Sequence, residues 1–168
     1  LDGQPNERGF DRYFGHLSGA TNFFTGDDTF RLNGERFDVP ETGFYTTDAK
    51  TDYALKFLDE AKAGEKPFLL YLSYYNIHTP IQPYKKHSNH YKKKAEKFSG
   101  DTPTLSEHDA LTRMRQDNPS LASMVAAVDD SVGSVLAKLK ELGLTDDTVV
   151  IFFSDNGGLS TKAKSGPG

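Results

Sequence analysis

The sequence contains no cysteine. Disulfides, thiolate zinc sites and a cysteine nucleophile are therefore excluded, and cysteine usage says nothing of the redox compartment. No long apolar run is present, so no membrane-spanning helix is expected, and the first residues lack a signal-peptide pattern. A Gly-rich phosphate loop, a Gly-x-Ser-x-Gly elbow and a His-Glu-x-x-His helix are all missing. No internal repeat or low-complexity linker divides the chain. The formal net charge is only -4, which excludes no class of partner. What is there is 168 residues rich in Phe and Tyr, enough for one domain with its own core. The chain opens on Leu1 rather than Met and closes in a Ser/Gly/Pro stretch, and both ends read as cut.

Residues 1–47 form a loop-rich excursion pinned by aromatics. Gly9-Phe10-Asp11-Arg12-Tyr13-Phe14-Gly15 sets three of them between two glycines, and Phe23, Phe24, Phe30, Phe37, Phe44 and Tyr45 follow. Asn33-Gly34 predicts a tight hairpin between residues 29–32 and 35–38. His16 reads as an ordinary loop histidine. A helix is expected over 48–63, capped by Thr47 or Asp48 and ended by Gly64. Its apolar face is Tyr53, Ala54, Phe57, Leu58 and Ala61.

Residues 68–75, Phe-Leu-Leu-Tyr-Leu-Ser-Tyr-Tyr, read as a buried strand leading to His78-Thr79-Pro80. Residues 81–118 read as a polar, partly helical connection. Six lysines lie between Lys85 and Lys97, either a basic rim for an anionic substrate or a solvated helix face. His87 and His90, three residues apart, have no evident third metal ligand. Asn118-Pro119 starts a helix to about Leu142, with a stripe of Leu121, Met124, Val125, Val128, Val132, Val135, Leu136 and Leu139. Asp129, Asp130, Lys138, Lys140 and Glu141 face solvent by the same count, and Gly143-Leu144 suggests a Schellman ending.

The helix leads into residues 148–153, Thr-Val-Val-Ile-Phe-Phe, a continuous apolar run typical of a parallel strand covered on both faces. Ser154-Asp155-Asn156-Gly157-Gly158 follows, where the two glycines permit a turn at positive φ. Asp155 and Asn156 then sit just past a strand end, where open α/β sheets hold their ligands. A carboxylate beside an amide oxygen suits a hard cation such as Ca²⁺ or Mg²⁺. The same pair also suits a plain Asx turn. If 68–75 and 148–153 share one parallel sheet, His78, Asp155 and Asn156 face one crevice.

Pro5–Arg8 with Gly9–Gly15, residues 66–71 leading to His78-Thr79-Pro80, residues 124–133 and Phe153–Gly158 together resemble type I sulfatases. The order and spacing match over nearly the whole chain, in the manner of bacterial arylsulfatase-like enzymes of sulfated sugars. The resemblance implies an alkaline-phosphatase-like α/β fold, a parallel sheet with helices on both faces, incomplete here. It implies a Ca²⁺ ion, with Asp155 and Asn156 as its second pair of metal ligands. By the same resemblance Asp155 helps protonate the leaving alcohol and His78 contacts the substrate sulfate, so both are candidate catalytic residues.

The family's nucleophile is a formylglycine made within Cys/Ser-x-Pro-x-Arg, and that motif does not occur here. An Asp-Asp pair on a first strand near the N-terminus and Gly-Lys-Trp-His are missing too, and Lys162 and Lys164 lie too close to Asp155 to be the family's late lysine. Residues 1–168 are thus expected to be the middle segment of a sulfatase catalytic domain: excursion 1–47, helix–strand 48–80, polar connection 81–118, helix–strand 119–158 and a cut loop 159–168. Alone, the segment is expected to be inactive. The implied partner is a sulfated carbohydrate or aryl sulfate, with no nucleic acid or membrane, and a periplasmic or extracellular location. The alternatives are a phosphate or phosphonate ester hydrolase of the same superfamily, and a non-catalytic remnant that binds sulfated glycans through its lysine-rich segment.

Overall fold

A computed structural model describes residues 3–64, 66–108 and 110–162. The chain divides into two compact units. One comprises Leu1–Asn76 with Ala127–Val149, the other Ile77–Ala126 with Val150–Gly168.

The first unit is built on aromatics. A 3-10 turn at Pro5–Arg8 precedes β1 (Phe14–Gly15), which pairs antiparallel with β2 (Arg31–Leu32), and β2 pairs with β3 (Glu35–Arg36). The tight turn predicted at Asn33-Gly34 joins β2 to β3, with φ of 52° and 93°. Phe14, Phe30 and Phe44 form the core, with Phe37, Tyr53 and Phe57 packed against it. Phe14 stacks on Tyr53 at 4.0 Å and Phe23 on Tyr75 at 4.9 Å. Full burial of a phenylalanine contributes roughly 1.5–3 kcal/mol, so Phe23 and Phe30, both without exposed surface, anchor the excursion. Gly26 is required where it stands. Its φ is 59°, and a Cβ there would lie 2.7 Å from Val39 Cγ2.

Helix α1 spans Thr46–Ala63 and buries Ala54 and Leu58 as its spacing predicts. Its start differs from expectation. Tyr45 is the N-cap and no side chain caps the helix. The threonine hydroxyls are spent on tertiary partners instead: Thr46 donates to the Phe23 carbonyl at 3.1 Å and Thr47 to Asn76 Oδ1 at 2.6 Å. Gly64 ends α1 in a right-handed conformation, because its N–H still reaches the Glu60 carbonyl.

In the second unit α2 (Lys85–Ala95) carries most of the lysine run. The polar connection also contains an antiparallel hairpin that its composition does not predict, β4 (Thr104–Glu107) and β5 (Ala110–Arg113), extended by β6 (Thr161–Lys162).

Helix α3 (Pro119–Glu141) contributes its start to this unit and the rest to the first. Asn118 Oδ1 accepts the N–H groups of Ser120 and Leu121, the expected cap. At the other end Gly143 has φ 66°, and Leu144 N–H reaches the Leu139 carbonyl at 2.8 Å, the expected Schellman closure. Its buried positions are Ser123, Met124, Ala127, Ser131 and Leu139, a narrower stripe than predicted, with Val125 and Leu136 exposed. Lys138 is not a solvated charge. It is mostly covered and pairs with Asp59 at 2.8 Å and Glu141 at 3.2 Å. By length and composition alone α3 is apolar enough to cross a membrane, contrary to the expectation that no such run exists. Asp129 and Asp130 at its middle favour a core helix, since charge at a bilayer centre is costly.

The two apolar runs differ most from expectation. Neither 68–75 nor 148–153 forms a strand among the described residues. Leu69 is 79% exposed, Val149 88% and Ile151 76%. A run that is apolar on both faces gains strand structure only from hydrogen-bonded neighbours, and among the described residues none is paired with these.

Candidate active site

The second unit carries His78, Asp155 and Asn156. His78 is exposed, with Nδ1 2.8 Å from the Thr79 carbonyl oxygen, ahead of a cis Thr79–Pro80 peptide. Asp155 and Asn156 are exposed and bonded to each other. Asn156 donates its backbone N–H to Asp155 Oδ1 at 3.0 Å and its amide to Oδ2 at 2.9 Å. Ser154 Oγ donates to the Asn156 carbonyl. Gly157 and Gly158 do not take positive φ, so the expected left-handed turn is absent. Ile77 Cδ1 lies 3.5 Å from where a Gly158 Cβ would be, an ordinary van der Waals distance that puts the two residues side by side. Ile77, Gly158, Leu159, Tyr91, Asn118 and Leu121 help line a pocket of about 390 Å³. The residue before His78 thus packs on the residue two beyond Asn156.

Asp155 and Asn156 supply hard oxygens, and calcium takes six to eight. Among the described residues no group of three or more His, Asp or Glu side chains converges, His87 and His90 on α2 included. These residues fit a cation only as contributors to a larger set of ligands. Asp129 and Asp130 lie within α3, and Lys164 lies outside the described residues.

The first unit holds a larger cleft, about 1180 Å³, between α1 and residues 66–75. His16 and Lys50 line it, and nothing in the sequence singles out either as functional. Lys50 falls beside the apolar face of α1, where spacing gives no sign that the ammonium is covered. Its Nζ donates to the Ser73 carbonyl at 2.9 Å, and burial pushes its pKa down to about 8. The His16 ring lies 5.5 Å from Phe30 and 5.4 Å from Tyr75, with Nδ1 on the Ser18 carbonyl at 2.9 Å. Burial, and then the Lys50 charge, hold its pKa below the ordinary value.

Comparison with known proteins agrees with the motifs. The family model described as Sulfatase matches residues 2–167. "Uncharacterized sulfatase YdeN" of Escherichia coli K12 is 33% identical over 155 residues, covering 92% of this chain and 24% of that protein. "Arylsulfatase J" of Mus musculus is 26% identical, covering 98% of this chain and 26% of its own length. The crystal structure of Ps i-CgsB in complex with k-i-k-neocarrahexaose superposes with a TM-score of 0.62 at 27% identity, over 84% of this chain and 31% of that one. The chain therefore spans about a quarter of the length of these two curated relatives. With the match running nearly end to end, the chain belongs to the sulfatase family and shares its alkaline-phosphatase-like α/β fold.

Proposed function

We propose that residues 1–168 are the middle segment of a sulfatase catalytic domain that hydrolyses sulfate monoesters on carbohydrate. The observation that carries this reading is the packing of Ile77 on Gly158, which joins the His78 segment to the Asp155–Asn156 segment within one unit. A structural neighbour solved in complex with k-i-k-neocarrahexaose supports a carbohydrate substrate.

In this reading His78, on the surface, contacts a sulfate oxygen as an imidazolium, because the single N–H of a neutral ring is taken by the Thr79 carbonyl. Asp155 and Asn156 contribute two ligands to a Ca²⁺ ion completed by groups outside these residues. A bound divalent cation polarises the ester and stabilises developing negative charge. Asp155 also supplies a proton to the leaving alcohol. The nucleophile lies outside these 168 residues, which contain no Cys/Ser-x-Pro-x-Arg, so the segment alone does not turn over.

Paired assays of the full-length protein with 4-nitrophenyl sulfate and 4-nitrophenyl phosphate test the substrate class. The sulfate ester is the expected substrate. Preference for the phosphate would replace this reading with a phosphoester hydrolase of the same superfamily.

A further inference from the structure

We propose that the pocket beside Tyr91 is a subsite for a second, sulfated sugar residue of the substrate, next to the residue whose ester is cleaved. The inference rests on the sulfatase reading of His78 and Asp155 and adds what holds the rest of the saccharide.

Its position comes first. The pocket, about 390 Å³, has the size of a small-molecule site, and every residue lining it belongs to the second unit, as do His78 and Asp155. Ile77 and Gly158 form part of its wall. Ile77 directly precedes His78, and Gly158 is three residues beyond Asp155, which is at most about 10 Å of chain. A saccharide with its ester at His78 therefore has a neighbouring ring within reach of the pocket.

The lining suits a sugar. Ile77, Leu121 and the Tyr91 ring offer apolar surface to the C–H face of a pyranose. Tyr91 is not stacked on another aromatic. It meets only the His90 ring, at 5.0 Å and at right angles. The Tyr91 hydroxyl and the Gln116 amide, also in the lining, have no hydrogen-bond partner among the described residues. Asn118 spends Oδ1 on capping α3, and its amide nitrogen keeps both donors for a ligand. One hydroxyl and two amides match the hydroxyls of a sugar.

The charge is placed to read a sulfate. Lys94 Nζ lies 5.8 Å from the Tyr91 ring centroid and has no carboxylate partner among the described residues. A sugar resting on Tyr91 thus presents its sulfate to that ammonium, with exposed Lys92 and Lys93 on the same helix.

The probes are a sulfated galactan tetrasaccharide, its desulfated counterpart and 4-nitrophenyl sulfate, which has no second sugar, all with the full-length protein. In calorimetry Tyr91→Ala should weaken tetrasaccharide binding at least about tenfold, and Tyr91→Phe, which keeps the ring, by less than about threefold. Lys94→Met should remove most of the preference for the sulfated over the desulfated sugar. In turnover the Tyr91→Ala loss in kcat/KM should be at least about tenfold larger for the tetrasaccharide than for 4-nitrophenyl sulfate. Tetrasaccharide binding indifferent to Tyr91→Ala, equal losses on both esters, or a sulfate preference that survives Lys94→Met each overturn the subsite and leave the sulfatase reading standing. No turnover of 4-nitrophenyl sulfate by the unaltered protein would instead overturn that reading, and the binding measurements would still decide the subsite.

Discussion

Thr51 Oγ1 of α1 and Ser131 Oγ of α3 share a buried hydrogen bond across 80 residues of sequence. Tyr74 OH lies on the same Ser131 oxygen at 2.7 Å, and Thr51 also donates to the Thr47 carbonyl at 2.7 Å. Three separate segments thus meet on one hydroxyl, whose residue is 3% exposed. A buried polar group that loses its partner costs about 1–3 kcal/mol. Ser131→Ala removes the shared oxygen and is expected to destabilise the chain by that amount. Urea unfolding with an unchanged m-value checks it, and a midpoint equal to that of the unaltered chain would refute it.

Asp27 sets an acid limb on stability. Burial works against its charge, but hydrogen bonds from Thr29 and Ser18 prevail and hold its pKa at about 2, against an ordinary 3.8. A carboxylate depressed on folding stabilises the fold above its unfolded value and loses that contribution as pH falls through its folded value. The window is therefore pH 3.8 down to about 2. A tenfold change in proton affinity is worth about 1.4 kcal/mol, and solvent screening at this partly open site reduces the whole contribution to about 1 kcal/mol. Asp27→Asn should lose that stability at pH 7 and flatten the acid limb, as read from melting temperature against pH.

The lysine run is an exposed charged face, as both a basic rim and a solvated helix face require. Lys92, Lys93 and Lys94 are all exposed on α2, which buries no residue. Attraction between exposed charges fades over about 8 Å at physiological salt. Retention on immobilised heparin or fucoidan should fall with added salt, and Lys92, Lys93 and Lys94 all changed to Ala should bring elution forward. Unaltered elution would leave α2 as a solvated face.

Local signals are legible in the sequence. Asn118-Pro119 and Gly143-Leu144 frame α3, and Asn33-Gly34 makes the hairpin, because each acts within a few residues through φ or a single hydrogen bond. The sulfatase motifs are legible by their order. What stays hidden depends on distant partners. Residues 68–75 and 148–153 have strand composition but no hydrogen-bonded neighbour among the described residues. The β4–β5 hairpin is short and polar, and His108 takes φ 48° without a glycine, so turn chemistry does not announce it. The covering of Lys50 and the Lys138–Asp59 ion pair come only from tertiary packing, whereas Lys138–Glu141 is a local contact one turn along α3.

The central claim is that His78 and Asp155 serve sulfate-ester hydrolysis. Its most direct test is 4-nitrophenyl sulfate turnover by the full-length protein with Ca²⁺ present, compared with His78→Ala and Asp155→Asn, each checked for an unchanged melting temperature. A proton-transferring group contributes about 10²–10⁴ in rate, so Asp155→Asn should lower kcat by at least about a hundredfold, and His78→Ala should lower kcat/KM by at least about tenfold. Aryl sulfate turnover that survives both substitutions within about twofold would contradict the assignment of these residues to the reaction.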